Sequence, residues 1–279
     1  MTVAIIAELG SNHDGSLGQA MALAAACIEA GADWVKAQDH RWQHHGPATQ
    51  HPPWMPRYAP EGRIDYLERT CFAPHEWGCL SAFVRQRGAK FMVSPFSVEA
   101  LEEQLKGERL DGVKIASGQV KNRELLQRAM QAELPVFLSC GMTTWDETKA
   151  AMVGDCWIGR TTLLLCTSEY PCKPENAGLP EAIALGTNPA SPFAWGYSDH
   201  TLGSTASLAA VTLGATAIER HVGWDRRAYS SDAQHSLTVD EFAAFVRQVR
   251  ELERMLNGKS KDEVVAGLGE TRKAFLHGA

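Results

Sequence analysis

The order of apolar runs along this chain predicts an α/β fold, a single-domain (β/α)8 TIM barrel. Three observations carry that expectation. Short β-branched runs alternate with longer stretches of helical periodicity over most of the sequence. The strand runs are near-continuously apolar, as strands buried on both faces by helices must be. The length, 279 residues, exceeds an ordinary domain but suits one barrel. A doubly wound open sheet is the alternative, and no GxGxxG follows the first strand to support it.

The first strand, Val3–Glu8, leads into a helical pattern over Leu17–Ala30, and a second strand follows at Asp33–Gln38. Asp39–Ala73 then departs from the repeat: a long connection with His40, His44, His45, His51, five prolines and the tryptophans Trp42 and Trp54. A connection this long inside a compact domain is usually functional, and a solvated or substrate-facing loop is expected here rather than a second metal cluster. The repeat resumes with the helix Pro74–Arg87, the strand Lys90–Ser94, the helix Val98–Leu105 and the strand Gly112–Ala116. Next come Asn122–Ala132 (helix), Pro135–Ser139 (strand), Thr144–Val153 (helix), Thr161–Thr167 (strand) and Asn176–Leu185 (helix). The strands Phe193–Tyr197 and Ala215–His221 flank the helix Gly203–Leu213. A final helix, Val239–Leu256, carries Phe242, Phe245, Val246, Val249, Leu252 and Leu256 on one stripe, with Thr238 as N-cap and Asp240 and Glu241 in its first turn. The barrel is expected over residues 1–258; residues 259–279 are polar and are expected to form a tail or docking segment.

Composition narrows the function. Hydrophobic residues make up 44% and charged residues 22%, ordinary for a soluble globular chain with a sizeable core. A net charge of −6 gives no electrostatic support to nucleic-acid binding. No apolar run reaches the 18 or so residues of a membrane span, and Met1–Ile6 lacks the features of a signal peptide. Seven cysteines with no CxxC read as reduced thiols in a cytoplasmic protein.

Barrel enzymes place their chemistry where strands end. Those points hold Glu8, Lys36 with Gln38, Ser94, Lys114 with Ser117, Ser139, Ser168 with Tyr170, Ser198 with His200, and His221. Two lysines among several hydroxyls suit a small dianion such as a phosphate ester. His200 and His221, 21 residues apart, fall on neighbouring strand ends and could hold one divalent ion with open positions for water and substrate. Asn12 and His13 read equally as a turn or as a brace for Glu8.

The same segments resemble the N-acetylneuraminate (sialic acid) synthase family. Ile5–Gly15, with Glu8 inside it, looks like that family's opening signature, and Ala30–Gln38 is similar to its second strand. Ser94-Pro95-Phe96, Lys114–Gly118, Leu138–Met142, Gly196–Gly203 and Ile218–His221 continue the series, in order, to about residue 255. The resemblance implies condensation of phosphoenolpyruvate with the open-chain aldehyde of an amino sugar resembling N-acetylmannosamine. The products would be a nonulosonate-type 2-keto-3-deoxy acid and phosphate. It implies a divalent ion on His200 and His221, manganese first, with magnesium or cobalt as alternatives, and a homodimer. Lys36, Ser94, Lys114, Ser117, Ser139 and Ser198 would cradle phosphoenolpyruvate, while Gln38, Tyr170 and Asp232 would face the sugar. Ser168 and Gln119 join the substrate-binding set, and Glu8, Lys36 and Tyr170 form the catalytic one. Activity is expected to fall below about pH 6.5 as the imidazoles protonate.

Three features depart from the family. Its members commonly carry an antifreeze-like domain after the barrel, and none is expected within these 279 residues. The sugar site is therefore expected to be closed by the His-rich loop or by another subunit. Gln119 stands where an acidic residue is usual, and Arg226–Asp232 lacks the usual proline while Asp232 keeps its spacing. A synthase acting on another sugar or a specialised-metabolite aldehyde is the alternative, and a noncatalytic sugar-phosphate-binding barrel is a third reading.

Overall fold

The computed structural model describes residues 2–40, 62–152, 157–188 and 193–276. Trp42, His44, His45, His51 and Trp54 lie outside them. The first half of the chain runs β1 (Ala4–Glu8), α1 (Leu17–Glu29), β2 (Trp34–Asp39), α2 (Arg63–Thr70), α3 (Pro74–Gln86), β3 (Lys90–Pro95), α4 (Val98–Leu105) and β4 (Gly112–Ile115). The second half adds α5 (Arg123–Gln131), β5 (Val136–Ser139), α6 (Trp145–Ala151), β6 (Thr161–Cys166), α7 (Leu179–Gly186), β7 (Ala194–Asp199), α8 (Thr205–Thr212) and β8 (Ala217–Gly223). It closes with β9 (Leu237–Thr238), α9 (Val239–Leu256), α10 (Lys261–Ala266) and α11 (Gly269–Phe275). Strands β1 to β8 pair in parallel in chain order, and β1 also pairs with β8. That pairing closes the expected (β/α)8 barrel, and its register sets Glu8 beside both Lys36 and His221.

Alternation along each strand divides the core in two. Residues facing the helices, such as Val35, Val93, Val113, Leu138 and Ile218, pack with Leu23, Trp77, Leu101, Leu125 and Phe242. Those facing the barrel axis, Ile6, Trp34, Met92, Phe137, Leu164 and Ala217, form a separate apolar plug. Trp34 meets Phe137 edge to face at 5.3 Å, and a Cβ on Gly112 would stand 3.0 Å from the Trp34 ring, so glycine leaves that ring its space. Two residues further along each strand the inward side chain is polar: Glu8, Lys36, Ser94, Lys114, Ser139, Cys166, Ser198 and Glu219. The site stands directly on the plug.

Helix starts follow the cap chemistry of the sequence: Ser16, Ser97, Asn122, Thr144 and Thr238 each accept a hydrogen bond from a backbone amide of the first turn. Three expectations are corrected. The long connection after β2 contains α2, started by Asp65 accepting from the Gly62 amide at 3.3 Å and anchored by buried Tyr66 and Leu67. Helix α7 begins at Leu179 rather than Asn176, because Pro174–Asn176 forms a separate 3-10 turn and Gly178 takes a left-handed backbone at φ +71°. Strand β8 runs on to Gly223 because its end pairs with β9. The polar segment from residue 259 forms α10 and α11, with no buried residue in either. Among the described residues no helix is long and apolar enough to cross a membrane, and Cys27, Cys71, Cys79, Cys140, Cys166 and Cys172 are free thiols.

Candidate active site

A cavity of about 590 Å³ opens at the C-terminal ends of the strands. Its wall contains every residue expected there except Glu8: Lys36, Gln38, Ser94, Lys114, Ser117, Gln119 and Ser139 on one arc. Ser168, Tyr170, Ser198, His200, His221 and Asp232 line the other. Glu8 has no exposed surface and stands beside Lys36 in the same layer of the barrel. There it forms a direct ion pair with Lys36 and accepts from the Gly10 amide at 2.6 Å and from Gln38 Nε2 at 3.3 Å. Its reach into the cavity runs through Lys36 and Gln38.

At the lysine end the charges are already matched. Glu219 Oε1 lies 3.3 Å from Lys36 Nζ and 4.0 Å from Lys114 Nζ, and it accepts from Ser198 Oγ at 3.1 Å. Burial raises the Glu219 carboxyl, but the ammonium groups of Lys114 and Lys36 outweigh it and hold the group below the usual carboxylate range. Burial brings the Lys36 ammonium down to about 8, with Glu219 opposing the shift and Lys114 adding to it. Two lysines and two carboxylates thus sum to zero, so an anion entering here meets two cations that are held in place rather than bare. Two hydroxyls of the wall, Ser94 Oγ and Ser139 Oγ, are buried with no hydrogen-bond partner. Leaving such groups unpaired costs about 1–3 kcal/mol each, a penalty that an oxygen-rich ligand would relieve.

The histidine end is neutral. His200 Nδ1 donates to the Thr167 carbonyl at 2.8 Å, which fixes the tautomer and leaves the Nε2 lone pair free. Its ring packs 4.3 Å from Tyr170 and 5.6 Å from His221. His221 Nδ1 and His235 Nε2 are buried without a partner. Burial pulls the His200 imidazolium down to about 4 and His221 well below its ordinary value, and it lowers His235 as well. Three neutral imidazoles, two of them with orphaned nitrogens, fit a divalent metal ion, which needs deprotonated ligands. They also correct the expected loss of activity below about pH 6.5: burial moves that protonation to lower pH. The same burial raises the Tyr170 phenol, which stays protonated.

Behind these rings lies a buried clamp. Asp199 and Arg220 each precede a site histidine and so point to the opposite face of their strands, where they pair directly with each other. Ser207 Oγ donates to Asp199 Oδ2 at 2.5 Å, and Arg220 Nη2 donates to the Thr201 carbonyl at 2.7 Å. The clamp ties the ends of β7 and β8 together and thereby fixes the backbone of His200 and His221.

Several wall residues escaped sequence reasoning. Glu219 carried a usable signal, since it precedes His221 by two on the same strand face. His235, in a 3-10 turn after the loop that follows β8, had only its spacing of three from Asp232. Cys166 follows Leu164 on the inner face of β6. Of the histidines in the long connection, His40 joins the wall, stacking on Phe96 at 4.1 Å with Nε2 2.8 Å from Gln38 Oε1. Gln119 Oε1 accepts from Asn122 Nδ2 at 3.0 Å. Asn12 and His13 hold a turn: Asn12 Nδ2 donates to the Val222 carbonyl and to Ser236 Oγ, both at 2.8 Å, and His13 Nδ1 accepts from the Gly15 amide at 3.1 Å.

Comparison with known proteins agrees with this geometry. A profile of the NeuB family matches residues 23–261. N,N'-diacetyllegionaminic acid synthase of Legionella pneumophila is 31% identical over 270 residues, covering 94% of this chain and 75% of that protein. Pseudaminic acid synthase of Helicobacter pylori is 31% identical over 252 residues, covering 88% of this chain and 73% of that protein. Among solved structures, an N-acetylneuraminic acid (sialic acid) synthetase from Leptospira borgpetersenii in complex with citrate superposes with a TM-score of 0.84 at 26% identity, covering 100% of this chain and 94% of that one.

Proposed function

The chain belongs to the NeuB family of sugar acid synthases, and from that premise we propose that it condenses phosphoenolpyruvate with the open-chain aldehyde of an N-acetylmannosamine-like sugar. The products are a nonulosonate-type 2-keto-3-deoxy acid and phosphate. One observation carries the reading: two buried lysines converge with partnerless serine hydroxyls on a single wall. Lys36 and Lys114 take the phosphate and carboxylate of phosphoenolpyruvate, and Ser94, Ser117, Ser139 and Ser198 donate to their oxygens. Gln38, Gln119, Ser168 and Asp232 face the sugar. A homodimer is part of the same reading.

The chemistry follows from this placement. C3 of the enol phosphate attacks the aldehyde carbon and forms the new C–C bond, and C2 is left with positive charge beside the phosphate ester oxygen. Tyr170, kept protonated by burial, gives a hydrogen bond to the aldehyde oxygen as that oxygen gains charge. Glu8 holds Lys36 and Gln38 in register and contributes negative charge beneath the cation at C2. Water adds to C2 and its proton goes to the alkoxide formed from the aldehyde; the resulting hemiketal phosphate then breaks its C–O bond, its hydroxyl proton leaving with the phosphate as the C2 ketone forms. His200 and His221 would hold a divalent ion, manganese first. When bound, the ion supplies Lewis-acid polarisation of the aldehyde.

The test is to incubate the protein with Mn2+, phosphoenolpyruvate and a panel of aldoses, with phosphorylated sugars included, and to follow phosphate release. Release with an N-acetylated hexosamine is expected. Release only with a phosphorylated or unacetylated aldehyde overturns the substrate assignment, and phosphoenolpyruvate left intact with the whole panel overturns the reaction.

A further inference from the structure

The side chains nearest His221 extend the two-histidine site proposed above. His200 stands 5.6 Å from His221, ring to ring, whereas His235 stands 4.6 Å away. One potential donor atom from each of His221, Asp232 and His235 lies within 4.8 Å of the other two. Donors about 2.1 Å from one octahedral ion stand about 3 Å apart when adjacent and about 4.2 Å apart when opposite. Small side-chain shifts therefore gather all three on one ion.

The nitrogens at this cluster have no other occupation. His221 is 6% exposed and His235 3%, and the orphaned nitrogens of both face the Asp232 carboxylate. His221 Nδ1 is 3.9 Å from Oδ2 and His235 Nε2 is 3.7 Å from Oδ1, too far for hydrogen bonds. The carboxylate is itself fixed, with Oδ2 accepting from the Ser11 amide at 2.7 Å and from Ser11 Oγ at 3.0 Å. Asn12 links the two segments that carry the histidines, since its amide group donates to the Val222 carbonyl next to His221 and to Ser236 Oγ next to His235. Fixed donors aimed at one gap, with their lone pairs unused, describe a coordination site.

We infer that His235 and Asp232 are metal ligands in this protein, forming with His221 a three-residue centre for a divalent first-row cation to which His200 adds a fourth donor. The inference rests on the proposed function only for the use of the ion. A set of three imidazoles and one carboxylate favours manganese, iron, cobalt or zinc over magnesium, which prefers oxygen ligands and water. In an octahedral ion it leaves two open positions, enough for a substrate oxygen and a water. The carboxylate also halves the net charge, which binds the ion more tightly than two neutral ligands do.

The test reads binding rather than turnover. Full-length protein is stripped with a chelator, dialysed and titrated with Mn2+, and free Mn2+ is followed by its electron paramagnetic resonance signal. Wild type is expected to bind one ion. His235→Ala and Asp232→Asn are each expected to raise the Kd about tenfold or more, and Co2+ should lose intensity in its visible bands in both variants. Thermal melts of the stripped proteins check the fold, and His235→Gln serves if the alanine variant melts early. A His235→Ala or His235→Gln protein with wild-type melting and a Kd within twofold of wild type overturns the inference, as does a wild type that binds no Mn2+. Failure of the two proposals is separable. Tight Mn2+ binding dependent on His235, without phosphate release from any aldehyde, overturns the reaction and leaves the centre standing. Phosphate release with Mn2+ affinity independent of His235 does the reverse.

Discussion

The two ends of the cavity bury comparable amounts of polarity and handle it oppositely. At the lysine end the groups are ionised and paired within the protein, Lys36 with Glu8 and Glu219, and Lys114 with Glu219. At the histidine end they are neutral, and two ring nitrogens have no partner. Position in the barrel explains the contrast. The lysines and their carboxylates stand one layer above the apolar plug, fixed mid-strand or at strand ends where neighbouring strands can supply a counter-charge. The histidines sit a layer higher and partly on loops, where desolvation is the leading influence and, at His200, outweighs the Thr167 carbonyl and the carboxylates of Glu219 and Asp199 that oppose it. An end of the first kind recognises charge; an end of the second kind offers lone pairs.

Removing a lysine should break this contrast most severely. Lys36→Ala leaves buried Glu8 without its cation, and Lys114→Ala leaves Glu8 and Glu219 to share Lys36; removing one partner of such a buried pair typically costs about 2–5 kcal/mol. The KM for phosphoenolpyruvate should rise at least about thirtyfold, as measured by phosphate release. Combining Lys114→Ala with Glu219→Gln should recover the melting temperature without recovering affinity. Unchanged KM values in both single variants would put phosphoenolpyruvate elsewhere.

A pH series sharpens the comparison with smaller effects. Lys36, brought down to about 8, loses its charge as pH rises through that value, so kcat/KM for phosphoenolpyruvate should fall above about pH 8, and Lys36→Arg should flatten that limb. The histidine end acts at the other side. An imidazole of ordinary value 6.5 that is held down to about 4 in the fold, as in His200 and His13, takes up its proton first in the unfolded chain. Its stabilising contribution is therefore complete above about pH 6.5 and declines as pH falls toward 4, by at most about 1.4 kcal/mol per pH unit per histidine. Urea midpoints should drop between pH 7.5 and 5.5, and equal midpoints would contradict neutral burial.

The smallest expected effect is Ser94→Ala. Its hydroxyl has no partner in the protein, so the melting temperature should hold or rise slightly while the phosphoenolpyruvate Kd, measured by calorimetry, rises about tenfold, or about 1.4 kcal/mol. A lower melting temperature with unchanged Kd would make Ser94 structural.

The barrel was legible in the sequence because its strands are short apolar runs and its helices carry caps such as Thr238 with Glu241. Thirteen-residue α1 and eighteen-residue α9 stood out by their periodicity. Helix α2 was hidden, since its eight residues include only three apolar ones inside a segment dense in proline and histidine. Strand-end residues were legible because the fold itself says where to look. Glu219 lay two positions from an identified histidine and was overlooked, although strand alternation puts both on one face. His235 was beyond reach, because its approach to His221 depends on how a loop with no regular period folds back over the barrel mouth. The protonation states were equally invisible, being set by burial rather than by residue type.

The partnership of β1 with β8 has one more consequence. Glu8 comes from the first strand and Glu219 and His221 from the last, so the reaction centre lies across the seam of the ring. A chain emerging from the ribosome exposes Glu8, Lys36 and Lys114 long before Glu219, His200, His221 and His235 exist. Until the final strand docks, the lysine end lacks the carboxylate that links its two ammonium groups, and the histidine end lacks the ring of His221. Assembly of the centre and completion of the barrel are thus a single event.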